Sequence, residues 1–145
     1  MLPMKQQLLS TLGAIVLLDQ FTKYLATQAG ISHINQGVSW GLISTESQVV
    51  LTTAIIFLMI ALWLWQKPLW KRYPVVAGLL FGGGISNIID RILFKGVIDW
   101  LPVPGINVSN NIADWSITLA LAAILLLELK AHRANKAEKE EIHGD

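Results

Sequence analysis

The sequence predicts an all-α integral membrane protein with four transmembrane helices joined by two outer loops and one inner loop. Three observations lead there. Hydrophobic residues make up 53% of the 145-residue chain and charged residues only 14%, where soluble domains average about 25% charged. The mean hydropathy is +0.52. Four separate segments approach the roughly 20 mostly apolar residues needed to cross about 30 Å of hydrocarbon. The length fits a single membrane domain covering residues 1–145.

The first predicted helix runs from about Gln7 to Gln28. Lys5 followed by an apolar run from Leu8 to Leu18 has the look of a signal peptide. The run continues into Asp19-Gln20-Phe21-Thr22-Lys23 instead of a small-residue cleavage site, so it reads as a retained span. The second helix, Gln48 to Trp65, carries no charge. The third runs from about Pro74 to Phe94 and the fourth from about Ile112 to Leu129. Helices one, three and four carry polar residues, so each should turn one face to the bundle interior.

The first outer loop, Gly30 to Ser47, is rich in Gly, Ser, Asn and Gln, and its alternation around Val38-Ser39-Trp40 suggests a short hairpin lying on the membrane. The loop from Lys95 to Asn111 holds Pro102, Pro104 and Gly105, which favour turns. The tail over residues 131–145 is charged and lacks an apolar face, which predicts a frayed helix end or disorder.

Basic residues set the orientation. Lys5, the inner-loop trio Lys67, Lys71 and Arg72, and the tail residues Lys130, Arg133, Lys136 and Lys139 all fall on one side; the opposite loops hold only Lys95. Both termini are expected in the cytoplasm. Trp63, Trp65, Trp70 and Tyr73 fit an interfacial aromatic belt on that side. A net charge of +1 gives no reason to expect a nucleic-acid partner, and the absence of cysteine excludes disulfides, thiolate catalysis and cysteine metal sites.

With that topology the intramembrane polar groups share one depth, in the outer half of the bilayer. Asp19 and Lys23 lie past the midpoint of helix one. Ser86, Asn87, Asp90 and Arg91 lie near the far end of helix three, and Asn111 and Asp114 open helix four. A carboxylate in hydrocarbon costs roughly 2.5–3.5 kcal/mol on insertion scales, so such groups pair, solvate one another or do chemistry. Asp19 and Lys23, four apart on one helix, can form an ion pair, and a structural role suits them best. Asp90 also reads as a brace between helices. Asp99 and Asp114 flank the turn-rich loop between antiparallel helices, which can bring their carboxyls face to face. Two close carboxylates share a proton: one takes a proton from water while the other donates to a scissile carbonyl. Taken singly, Asp114 is also an N-terminal helix acid favoured by the helix dipole, and Asp99 a solvated loop acid. Asn87 and Asn111 precede Asp90 and Asp114 by one helical turn and need partners in a membrane. Asn35 with Gly37 is a turn signal that can also serve substrate binding. No metal-ligand set and no Ser, Cys or His nucleophile arrangement lies near the acids.

The ordered set Asp19-Gln20-x-Thr22-Lys23, Asn35-x-Gly37, Gly82-Gly83-x-x-x-Asn87-x-Ile89-Asp90-Arg91, Val97-x-Asp99 and Asn111-x-Ala113-Asp114 resembles the lipoprotein signal peptidase (signal peptidase II) family, over residues 19 to 116. The resemblance implies a bacterial inner-membrane aspartic endopeptidase that cleaves prolipoprotein signal peptides just before a diacylglyceryl-modified cysteine. It implies Asp99 and Asp114 as the catalytic pair, with Asn35, Asn87, Arg91 and Asn111 binding substrate and Asp19 and Asp90 structural. It also implies a small β-like periplasmic cradle between helices one and two, no metal or organic cofactor, and an active site facing the periplasm. Expected partners are diacylglyceryl-modified prolipoproteins, membrane lipid and globomycin-type inhibitors, on a monomeric protein. Four positions depart from the usual family residues: Ser86 for Gly, Asn110 for an aromatic, Trp115 for a small Ser, and Trp40 for Phe. A bulky Trp115 beside Asp114 can reshape the pocket. The competing reading is a non-proteolytic membrane protein, either a diverged lipoprotein-binding relative or an ion- or proton-conducting bundle. A conduit places ionisable groups through the whole bilayer depth, whereas the inner halves here are apolar.

Overall fold

The structure is a computed structural model that describes residues 2–35, 45–65, 67–105 and 108–143. In chain order the elements are α1 (Met4–Gln28), β1 (His33–Asn35), α2 (Thr45–Trp65), α3 (Lys67–Arg72), α4 (Pro74–Phe94), β2 (Val97–Asp99), β3 (Leu101–Pro102), β4 (Ser109–Asn110) and α5 (Ile112–His143).

Helix α4 is the central element, packed between α1 and α5. It opens with Pro74, whose missing N–H is no loss in the first turn. It closes at Lys95, which adopts a left-handed conformation (φ 58°) and returns its N–H to the Arg91 carbonyl at 3.1 Å. Glycines let the helices approach closely, since helix association in lipid relies on close contact between small residues. A Cβ on Gly78 would stand 2.6 Å from Thr11 Cβ of α1, and one on Gly82 would stand 3.0 Å from the Leu12 carbonyl. One on Gly83 would collide with Ser116 Oγ and the Ala113 carbonyl of α5. At the end of the bundle near α3, Trp70, Ala77, Leu80, Phe81 and Ala120 form a buried apolar cluster. Trp63 and Trp70 both meet Phe81 edge-on, with ring centroids 5.2 and 5.4 Å away.

Burial is inverted relative to a soluble protein. Asp19, Lys23, Ser86, Asp90, Asp99 and Asn111 are all buried. Leu17, Phe57, Ile92 and Leu125 are each at least 60% exposed. Apolar side chains outward and polar ones inward is the arrangement that lipid stabilises. Two helical stretches, Pro74–Phe94 and Ile112–Asn135, are long and apolar enough to cross a membrane; the apolar stretch of α2, Thr52–Trp65, is shorter. Helix α1 has 25 residues, about 37 Å of helix, and its hydropathy is lowered by the polar face that it buries.

Helix α4 matches the expected third span at both ends, and α1 and α2 each begin three residues before the expected start. Two features differ from the sequence reading. The connection between α2 and α4 carries the extra short helix α3. The charged tail continues α5 to His143, because it is rich in Ala, Glu, Lys and Arg and has no Gly or Pro before Gly144. The hairpin expected around Val38-Ser39-Trp40 lies outside the described residues. The strand before it, β1, pairs antiparallel with β2, so His33 faces Asp99 and Asn35 faces Val97. The loop after α1 and the loop after α4 are thereby joined in one two-stranded sheet. Strands β3 and β4 pair as a second, smaller ribbon, with Leu101 opposite Asn110.

Candidate active site

The polar residues of α1, α4, β2 and α5 form one connected network. Its hub is the ammonium group of Lys23, which is 1% exposed. It lies 2.6 Å from Asp19 Oδ2 and 2.7 Å from Asp90 Oδ2, and donates to Asn87 Oδ1 at 3.0 Å. Both acids also hold backbone. Asp19 Oδ1 accepts the Ala113 N–H at 2.8 Å and so satisfies a first-turn donor of α5. Asp90 Oδ2 accepts the Ile98 N–H at 3.0 Å and anchors β2 to the end of α4. Gln20 donates to Asp90 Oδ1 at 2.8 Å, and Ser86 Oγ donates to Asp19 Oδ2 at 2.7 Å. Each buried charge therefore has an opposite charge or a donor against it, as burial demands.

The amide of Asn87 carries the network onward. Its Oδ1 faces Lys23, and its Nδ2 donates to Asp114 Oδ1 at 2.7 Å. Asn111 does two jobs. As the residue before α5 it accepts the Asp114 N–H on Oδ1 at 2.8 Å, the usual work of a helix N-cap. Its Nδ2 donates to Asp99 Oδ1 at 2.7 Å. Asn35, at the end of β1, donates to Asp99 Oδ2 at 2.9 Å. Asp99 is thus 1% exposed with an amide donor on each oxygen. Asp114 is half-buried; its Oδ2 accepts no hydrogen bond among the described residues.

Asp99 and Asp114 act on one another electrostatically and share Asn111 as a bridge. Arg91 is half-buried, lies within electrostatic range of Asp114, Asp90 and Asp99, and donates to the Asn87 carbonyl at 3.3 Å. All nine residues singled out in the sequence, from Asp19 to Asp114, therefore meet in one cluster. Chemically, this is a pair of acids steered by amides, with one carboxyl oxygen open. Among the described residues no group of three or more His, Asp and Glu is placed to hold a metal ion.

A signal peptidase II family model matches residues 11–130. The chain belongs to the signal peptidase II family. Lipoprotein signal peptidases of Staphylococcus aureus strains JH9 and Newman are 32% identical over 149 residues, covering 87% of this chain and 89% of theirs. Two solved structures described as bacterial membrane enzymes are also similar. One superposes with a TM-score of 0.69 at 28% identity, covering 84% of this chain and 92% of its own. The other gives 0.65 at 26% identity, covering 84% and 87%. Membership makes the chain a bacterial membrane peptidase and favours the proteolytic reading over a conduit or a binding relative.

The departures from the usual family residues have different consequences. Ser86 closes a hydrogen bond to Asp19 that glycine could not make. Asn110 lends its backbone carbonyl to the Trp100 N–H at 3.1 Å, a role indifferent to its side chain. Trp115 is 41% exposed, one position and about 100° around the helix from Asp114. Trp40 and Gly37 lie outside the described residues. Sequence reasoning missed the part played by Gln20. Its signal was its place beside Asp19 in a helix where a polar side chain needs a partner.

Proposed function

We propose that the chain is an intramembrane aspartic endopeptidase that removes signal peptides from diacylglyceryl-modified prolipoproteins, cutting before the lipidated cysteine. The observation that carries this reading is the single buried amide of Asn111, which binds the carboxyl of Asp99 and the backbone of Asp114 at once. A shared amide holds two acids in the fixed relation that acid–base work on one peptide bond requires. In that work one carboxyl serves as the base and the other as the acid. Water or a scissile carbonyl reaches Asp114 Oδ2 without displacing a protein donor. The ionised member takes a proton from water, the water oxygen attacks the carbonyl carbon, and the protonated member donates to the carbonyl oxygen. Collapse of the tetrahedral intermediate breaks the C–N bond and returns a proton to the leaving amine.

Asn35, Asn87, Arg91 and Asn111 bind and orient substrate around the pair, while Asp19, Lys23 and Asp90 hold the helices. The whole chain forms one domain of four spans in the inner membrane, with both termini cytoplasmic and the acids facing the periplasm. A lipid-modified substrate stays in the bilayer, so its scissile bond arrives at that depth. The protein works without a metal or organic cofactor and is inhibited by globomycin-type cyclic peptides.

The test pairs purified protein with a diacylglyceryl-modified prolipopeptide. Wild type cleaves it, and Asp99→Asn and Asp114→Asn each abolish cleavage while the thermal transition persists. Near-normal cleavage by both variants would remove the acid pair from the mechanism.

A further inference from the structure

We propose a binding site for an anionic phospholipid at the opposite end of the bundle from the acids. A cavity of about 410 Å³ opens there between the start of α1, the end of α2 and α3. Pockets that hold small ligands run from roughly 300 to 1,000 Å³, so this is a ligand-sized space and not a packing gap. Leu8, Leu9, Trp63 and Trp70 form its apolar wall, and Lys5 and Lys71 stand among the lining residues. The wall is rigid. Trp70 is 3% exposed, donates its indole N–H to the Leu62 carbonyl at 3.2 Å, and packs edge-on against Phe81.

The two lysines select the occupant. Both are exposed, and neither makes an ion pair among the described residues, where Lys23 supplies the ion pairs. Among the described residues no acid lines the cavity. An apolar cavity bordered by two exposed lysines fits an acyl chain inside it and a phosphodiester at the lysines. Basic pockets between helices on the cytoplasmic side recruit acidic lipids in this way. A signal peptide is a poorer match, because its leading segment is itself positively charged. A zwitterionic lipid brings its own cation to compete with the lysines. The leaflet assignment rests on the cytoplasmic termini of the proposed topology; the binding itself does not.

The full chain is reconstituted into bilayer discs containing equal phosphatidylglycerol and phosphatidylcholine with matched acyl chains. It is then released and weighed intact by native mass spectrometry. The expected result is retention of phosphatidylglycerol over phosphatidylcholine by roughly tenfold or more, since each basic group at a surface attracts an acidic lipid several-fold. The double variant Lys5→Gln with Lys71→Gln brings the ratio near one. Lys130→Gln with Arg133→Gln, an equal charge loss on α5, leaves it unchanged. A wild-type ratio near one, or an equal fall in both double variants, overturns the site. Retention is read without peptide cleavage, so the result stands apart from the fate of the catalytic proposal.

Discussion

At the scale of single residues, Lys23 concentrates the most energy. It neutralises Asp19 and Asp90 and polarises the Asn87 amide that reaches Asp114. Removing one partner of a buried ion pair typically costs 3–5 kcal/mol, because the remaining charge is left uncompensated. Lys23→Met leaves two such carboxylates, so it should destabilise the protein by at least that much, read as a lowered denaturation midpoint in detergent. Asn87→Ala isolates the other branch. The ion pairs remain, but Asp114 Oδ1 loses its donor. This variant should lose about 1–3 kcal/mol of stability at most while kcat falls by a larger factor than KM changes. A parallel loss of stability and kcat in both variants would mean that Asn87 serves only the fold.

At the scale of elements, the site depends on three close approaches, each set by a glycine. Gly82 seats α1 on α4, Gly83 seats α5 on α4, and Gly96 seats β1 on β2. A Cβ on Gly96 would fall 2.5 Å from Ile34 Cγ2 and 2.9 Å from the Asn35 carbonyl. Gly96→Ala should therefore push β1 outward and draw Asn35 off Asp99. Overpacking of this kind costs roughly 1–3 kcal/mol. The expected outcome is a several-fold fall in kcat/KM with the helical circular dichroism unchanged; unaltered kinetics would show that β1 does not position Asp99. The helices were legible in the sequence because apolar length and the proline and glycine boundaries are local signals. The gathering of Asp19, Asn87, Asp90, Asn111 and Asp114 was legible too, because antiparallel neighbours bring those helix ends together. The pairing of β1 with β2 was not, because it joins residues 62 to 66 positions apart through backbone hydrogen bonds that carry no side-chain signature. The link from Asp19 to the Ala113 N–H was hidden likewise: a buried acid declares that it needs donors, not which ones.

At the scale of the whole molecule, the two ends of the bundle do different work. One end buries a charged network that opens outward at Asp114, Arg91 and Asn35; the other is an aromatic cluster bordered by lysines. The separation makes physical sense if the acids face the periplasm, where a lipid-anchored substrate and water meet, and if the basic residues stay where translocation disfavours them. The absence of cysteine permits a direct test. Ile31→Cys, 61% exposed just beyond α1, and Val108→Cys, 51% exposed before α5, should react with a membrane-impermeant maleimide in intact cells. Leu2→Cys, 57% exposed before α1, should react only after permeabilisation. The reverse pattern would turn the bundle over and place the acids where no exported lipoprotein could reach them. Labelling of all three in intact cells would mean that the chain does not separate two compartments.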